Sequence, residues 1–222
     1  MRPAAEEDRR ARNDGVVAAV FDMDGTLFDS ATVVPDAYIE AVVERGGTRY
    51  ERADVIAAYG LGPPATILTH LLGRGCRDAD LDRYHARLEV LAEGVGFYPG
   101  LVEVLAELAA RLPLAVVTGA SRRAAEILLG ASGLLAHFKV VVGGDEVPFP
   151  KPDPGGILLA CERLGVDARA VAYVGDAGVD VEAARRAGAL ALAAGWGHLF
   201  SDQHRADDVL GEPGELLTLL AR

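Results

Sequence analysis

From about residue 98 onward, short apolar runs alternate with longer stretches whose apolar residues recur every third or fourth position. This spacing predicts helices over 100–111, 122–131, 153–164, 179–187 and 213–220. Between them it predicts strands over 113–118, 139–142, 170–175 and 189–193, and an earlier strand begins at the run VVAAV over 16–20. Runs that are apolar throughout, such as AVAYVGD over 170–176, suit strands covered on both faces. Strands separated by helices of about ten residues signal parallel βαβ units, so the core is expected to be α/β with a Rossmann-like parallel sheet. In such sheets ligands bind beyond the carboxyl ends of the strands.

Residues 31–95 break the alternation and read as wholly helical, over 33–45, 52–59, 64–72 and 80–93, with Gly94, Gly96, Pro99 and Gly100 marking the return. The expected organisation is a core built from 16–30 and 96–222 with an all-helical cap inserted at 31–95. An insertion springing from the loop beside the first strand is read as a lid. Residues 1–15 are expected to be a disordered tail. They are rich in Arg, Glu and Asp and lack the apolar centre of a secretory signal.

The net charge of −11 argues against a nucleic-acid backbone or an anionic membrane as partner, but not against a small phosphorylated molecule. No apolar run approaches the roughly 20 residues of a membrane span. The two cysteines, Cys76 and Cys161, lie far apart in helical-looking stretches and suggest reduced thiols in a cytoplasmic protein. Only two lysines occur, Lys139 and Lys151, so a mechanism that needs one has two candidates.

Four expected strand ends carry polar residues. FDMDGTL over 21–27 places Asp22 and Asp24 where the first strand runs out, and residues two apart point to the same side. Like charges that close need a cation or a shared proton. VVTGAS over 116–121 ends a strand in Thr118 and opens a helix through Gly119; this is an anion site, or an ordinary N-cap at Ser121. PKPDP over 150–154 stiffens the backbone around Lys151, as a phosphate-neutralising ammonium or merely a proline-rich surface loop. VGDAGVD over 174–180 sets Asp176 at a strand end and Asp180 one turn into a helix, facing one cavity or simply capping the helix. Together the oxygen donors suit Mg²⁺, and no Cys/His cluster suggests zinc.

In this order, DxDGT, Thr, Lys and GDxxxD resemble the haloacid dehalogenase superfamily of phosphatases over residues 16–220, with a helical cap inserted after the first strand. The resemblance implies that Asp22 is a nucleophile forming an aspartyl phosphate and Asp24 a general acid/base. It implies that Thr118, Gly119 and Lys151 bind phosphate. It also implies that Asp22, the backbone carbonyl of Asp24 and Asp176 hold Mg²⁺, with Asp180 in support. Keeping Asp24 favours a phosphatase over a dehalogenase, since a departing halide needs no proton.

Within the superfamily the chain is most similar to the phosphoglycolate phosphatase and β-phosphoglucomutase-like group, which implies a small phosphorylated metabolite as substrate. The loop YGLGPP over 59–64, with Gly60 and Leu61, is expected over the site and is uncharged, whereas mutases of this group usually place a basic residue there. No lysine precedes Lys139, which excludes the Schiff base of a phosphonatase. Trp196 followed by Gly197 resembles the phosphoglycolate-type enzymes or serves packing, and Arg45, Arg49 and Arg74 are either candidates to reach a substrate carboxylate or, for most of them, solvated side chains. A mutase, a phospho-acceptor signalling domain and a retired binding protein are the alternatives; the chain is expected as monomer or homodimer.

Overall fold

Strand β1 (Ala18–Phe21) is buried along its whole length because a strand of the same sheet lies on each side and helices cover both faces. The computed structural model describes residues 15–203 and 205–220, so the tail expected over 1–15 falls, Gly15 apart, outside the described residues. After β1 the chain forms the two-residue strands β2 (Phe28–Asp29) and β3 (Gly96–Phe97), which pair antiparallel and enclose the helical insertion. The remaining strands are β4 (Leu114–Val117), β5 (Phe138–Val142), β6 (Val171–Gly175), β7 (Leu190–Ala194) and β8 (Asp208–Leu210).

Six of these form one parallel sheet in the order β5-β4-β1-β6-β7-β8. Counting only its members, that is the Rossmann order 3-2-1-4-5-6, whose ligand crevice lies where the connections reverse direction beside the first strand. The register makes the strand ends flush: Phe21 lies opposite Val116 of β4 and Val174 of β6. Asp22, Thr118 and Asp176 are thus each the first residue beyond one of the three central strands.

Alternation along β1 sends Ala19 and Phe21 to one face and Ala18 and Val20 to the other. The first face is covered by α5 (Leu101–Ala109), α6 (Arg122–Ala131) and α9 (Glu215–Leu220). The second is covered by α7 (Gly155–Leu164) and α8 (Gly178–Ala187). Strand β8 and the β2–β3 pair are absent from the hydropathy pattern, since two or three residues are too few to show a period. Cys76 lies in a loop, not in the helical stretch expected for it; Cys161 is buried in α7, and both are free thiols.

Between β2 and β3 stand α1 (Val34–Glu44), α2 (Arg52–Ala57), α3 (Pro64–Leu72) and α4 (Asp78–Leu91). Helix α1 packs along α4, where Tyr38 and Tyr84 stack with ring centroids 4.1 Å apart. Their apolar faces join the same core cluster as one face of the sheet, and α4 also rests on α6. Helix α4 begins at Asp78, two residues before the expected start, because Asp80 accepts from the backbone N–H of Arg77 at 2.9 Å. Asp80 is fully buried and also accepts from Arg45 Nε at 2.7 Å and from Arg74 Nη1 at 2.6 Å, which holds its carboxyl below the usual range. No helix among the described residues is long and apolar enough to cross a membrane.

Removing the buried partner of two cations costs more than a surface pair would, though the arginine side chains, about a third exposed, are partly screened. Asp80→Ala is expected to lower stability by about 2–3 kcal/mol, read from urea unfolding. A change within a few tenths would show that Asp80 does not organise the helical insertion.

Candidate active site

The chain leaves β1 through a tight turn in which Met23 O accepts from the backbone N–H groups of Leu27 at 2.8 Å and Phe28 at 3.2 Å. Gly25 holds φ at +85°, and a Cβ there would lie 2.3 Å from Asp176 Oδ2. Gly197 closes on Asp176 from the other side, where a Cβ would come within 2.2 Å of the Asp176 Cβ. The packed cradle fixes Asp176. Thr26 Oγ1 donates to Asp176 Oδ1 at 3.4 Å, and the Leu199 N–H donates to Asp176 Oδ2 at 2.9 Å. Burial pushes the Asp176 carboxyl up, and the Leu199 N–H opposes it. Trp196 Nε1 donates to Thr26 O at 3.0 Å, so this indole pins the turn.

Lys151 reaches the same point from the loop after β5, its peptide to Pro152 being cis. Its Nζ donates to Asp22 Oδ1 at 2.5 Å and to Asp180 Oδ1 at 2.6 Å. Burial works against this ammonium, but Asp180 and Asp22 outweigh it and hold the group well above its ordinary pKa. Asp22 is pushed well above the usual carboxylate range by burial and by the Asp180 charge, with Lys151 opposing. Asp180 Oδ2 accepts from the Ala177 N–H at 3.0 Å, locking the first turn of α8; this residue, not Asp176, closes the helix start.

Tyr173, in the middle of β6, is a site residue the motifs do not contain. Its buried hydroxyl lies 3.1 Å from Asp180 Oδ1 and 3.4 Å from Lys151 Nζ, and burial followed by the Asp180 charge pushes it well up. The available signal was a lone tyrosine in an otherwise aliphatic strand two residues before Gly175.

Asp22, Asp176 and Asp180 bring carboxylate oxygens within 4.8 Å of one another, and all three are buried. One ammonium does not balance three buried carboxylates, and the donors are all oxygen; both facts fit a hard divalent cation. The Asp24 carboxylate stands apart from this cluster. It accepts from Thr118 Oγ1 at 3.3 Å, and Thr118 Oγ1 in turn accepts from the Ala120 N–H at 3.1 Å.

Ser121 caps α6 by accepting from the Ala124 N–H, and its hydroxyl also meets His85 Nε2 of α4 at 3.1 Å. Arg123 of α6 pairs with Asp82 of α4 at 2.9 Å. The inserted helices are therefore fastened beside Thr118 and Gly119. Over the carboxylates lies a cavity of about 270 Å³ reached by Asp22, Asp24, Lys151, Gly119, Gly60 and Gly62. Leu61 is about half exposed and lines an adjoining cavity that also reaches Thr118, Gly119 and Lys151. The arginines singled out in the sequence stay outside: Arg45 and Arg74 hold Asp80, and Arg49 lines a groove with Asp36 and Glu40 on the outer side.

A family model of haloacid dehalogenase-like hydrolases matches residues 16–188. The chain is 37% identical over 195 residues to a probable phosphatase, IndB, of Dickeya dadantii strain 3937, with 84% of each chain covered. It is 34% identical over 219 residues to a phosphoglycolate phosphatase of Chromobacterium violaceum, covering 92% of this chain and 96% of the relative. The crystal structure of CbbY from Rhodobacter sphaeroides in complex with phosphate superposes with a TM-score of 0.79 at 23% identity, covering 93% of this chain and 100% of that one. At that identity the likeness is one of fold.

Burial and then the Arg123 charge press His85 down to about 4, while Asp82 and Asp145 pull the other way. Its folded-state value lies below the ordinary value of 6.5, so the unfolded chain binds more protons between these two pH values and folding weakens as pH falls through that window. The thermal midpoint is therefore expected to fall further between pH 7 and pH 5 in wild type than in His85→Gln, which keeps a donor but does not titrate. Parallel declines would contradict this.

Proposed function

The chain belongs to the haloacid dehalogenase-like hydrolase family and is a phosphoric monoester hydrolase, and from that premise we propose a Mg²⁺-dependent phosphatase of small organic phosphate monoesters, phosphoglycolate-like or sugar phosphates, acting through an aspartyl phosphate on Asp22. The observation that carries the reading is the convergence of Asp22, Thr118 and Asp176, one from each central strand end, with Lys151 bridging Asp22 and Asp180.

The substrate phosphate would sit between Asp22, Lys151 and the start of α6. Thr118, the Gly119 and Ala120 backbone and the N-terminus of α6 favour its negative charge. Lys151 would pass from Asp22 to a phosphate oxygen, leaving the Asp22 carboxylate free to attack. Its anchors, Asp180 and Tyr173, keep the ammonium in place through that exchange. Asp22 forms a bond to phosphorus as the ester oxygen departs, and Asp24, held by Thr118, supplies the proton that oxygen takes. Asp24 then removes a proton from water, which attacks the phosphorus and releases phosphate and the Asp22 carboxylate. Mg²⁺ would be held by Asp22, the Asp24 carbonyl and Asp176 with Asp180 in support, and it supplies neutralisation of the phosphate charge. The insertion over 31–95 would serve as a lid that excludes water. The mutase alternative is less favoured, because mutases of the resembled group usually place a basic residue in the loop over the site and the loop over 59–64 carries none.

Asp22→Asn is expected to remove turnover while leaving the fold intact by circular dichroism; rates near wild type would reject the covalent route. Asp24→Asn should lose about 10²–10⁴ in rate on alkyl phosphates and much less on 4-nitrophenyl phosphate, whose leaving group needs little protonation. Equal losses on both would remove Asp24 as the proton donor. Activity should vanish with a chelator and return with Mg²⁺, and full activity in chelator would reject the metal assignment.

A further inference from the structure

We infer that this phosphatase selects monoesters whose leaving group is uncharged, with an apolar body and one hydroxyl or carbonyl for Tyr59. The inference rests on the hydrolase reading above and narrows its substrate class to sugar-like phosphates, setting the phosphoglycolate-like ones aside because glycolate carries a carboxylate.

The cavity of about 270 Å³ above Asp22 and Asp24 is where a leaving group must lie, because it alone, of the two adjoining cavities, contains both the nucleophile and the proposed proton donor. Its cap wall is made of Val34, Tyr38, Tyr59, Pro64, Ile67 and Tyr84, and α6 adds Ala124 and Leu128. Among the described residues, Lys151 is the only cation that lines it, and that ammonium is committed to the phosphate end by Asp22 and Asp180. The nearby cap cations are engaged elsewhere. Arg45 and Arg74 clamp Asp80, Arg52 pairs with Asp36, and Arg83 and Arg87 pair with Glu44. His85 faces Ser121.

A carboxylate or second phosphate on the leaving group would therefore be buried against Tyr and aliphatic carbon with no cation on the cap wall to pair it. Burying an unpaired anion is unfavourable. An uncharged group does not meet that cost. The wall also offers one polar handle: the Tyr59 hydroxyl is buried and has no hydrogen-bond partner among the described residues. The other two tyrosines are bonded to each other. Leaving a buried hydroxyl unmatched is costly, so a substrate hydroxyl or carbonyl that meets it gains selectively. The volume is near the low end for small-molecule sites and suits a single ring with one substituent.

The test uses two isosteric substrates that differ only in charge, 4-carbamoylbenzyl phosphate and 4-carboxybenzyl phosphate, with the whole protein and Mg²⁺. Wild type is expected to show kcat/KM at least about tenfold higher for the amide, which follows from roughly 1.4 kcal/mol of discrimination. In Tyr59→Arg, which places a cation at the half-buried edge of the wall, that ratio should shrink about tenfold or invert. Equal or reversed preference in wild type, with both esters hydrolysed, would overturn the inference and leave the phosphatase standing. An unchanged ratio in folded Tyr59→Arg would likewise overturn it, by taking the discrimination away from the cap wall. No hydrolysis of either ester, nor of 4-nitrophenyl phosphate, would reject the phosphatase reading and this inference with it.

Discussion

Three buried carboxylates around one part-buried ammonium set the terms for everything else in this protein. Asp22, Asp176 and Asp180 are each nearly inaccessible, and Lys151 touches two of them. Such a cluster persists only if its remaining oxygens are satisfied and its charge is balanced. Backbone N–H groups of Ala177 and Leu199 meet two of those oxygens, and Thr26 and Tyr173 meet others. The residual negative charge matches what one divalent cation would balance. The flush register of β1, β4 and β6 is what makes the gathering possible, since it brings residues up to 158 positions apart to one edge of the sheet (Asp22 and Asp180).

The second organising contact is between the helical insertion and the core. Helix α4 meets α6 through His85 and Ser121 and through Asp82 and Arg123, immediately beside the Thr118–Gly119 strand end. The same two helices that build the cap interior, α1 and α4, supply Tyr38 and Tyr84 to the cavity wall. The proposed selection and the docking of the insertion thus draw on the same two helices. The inner face they present carries aromatic rings and, among the described residues, no cation of the insertion lines the cavity.

Much of this was legible in the chain because it is local. The run VVAAVFDMDGTL contains its own strand, turn and paired acids, and the strand-end polar residues at 118, 151, 176 and 180 stand out against aliphatic neighbours. The parallel α/β core followed from period and length alone. What stayed hidden depends on tertiary geometry. Tyr173 reads as one more core residue until β6 is laid beside β1. The pairing of His85 with Ser121 joins residues 36 apart with no pattern to announce it. The arginines of the insertion looked available for a substrate carboxylate, and only the burial of Asp80 shows where two of them are spent. Strand β8 is three residues long, below the length at which alternation can be read.

The central claim is that Asp22 attacks phosphorus and that water attacks in a second step. Each displacement inverts configuration, so two in sequence restore it. The direct measurement is the stereochemical course at phosphorus, using a monoester made chiral with oxygen isotopes and transferring to a small alcohol acceptor. The account predicts net retention. Net inversion would mean a single direct displacement by the acceptor, with Asp22 never bonded to phosphorus.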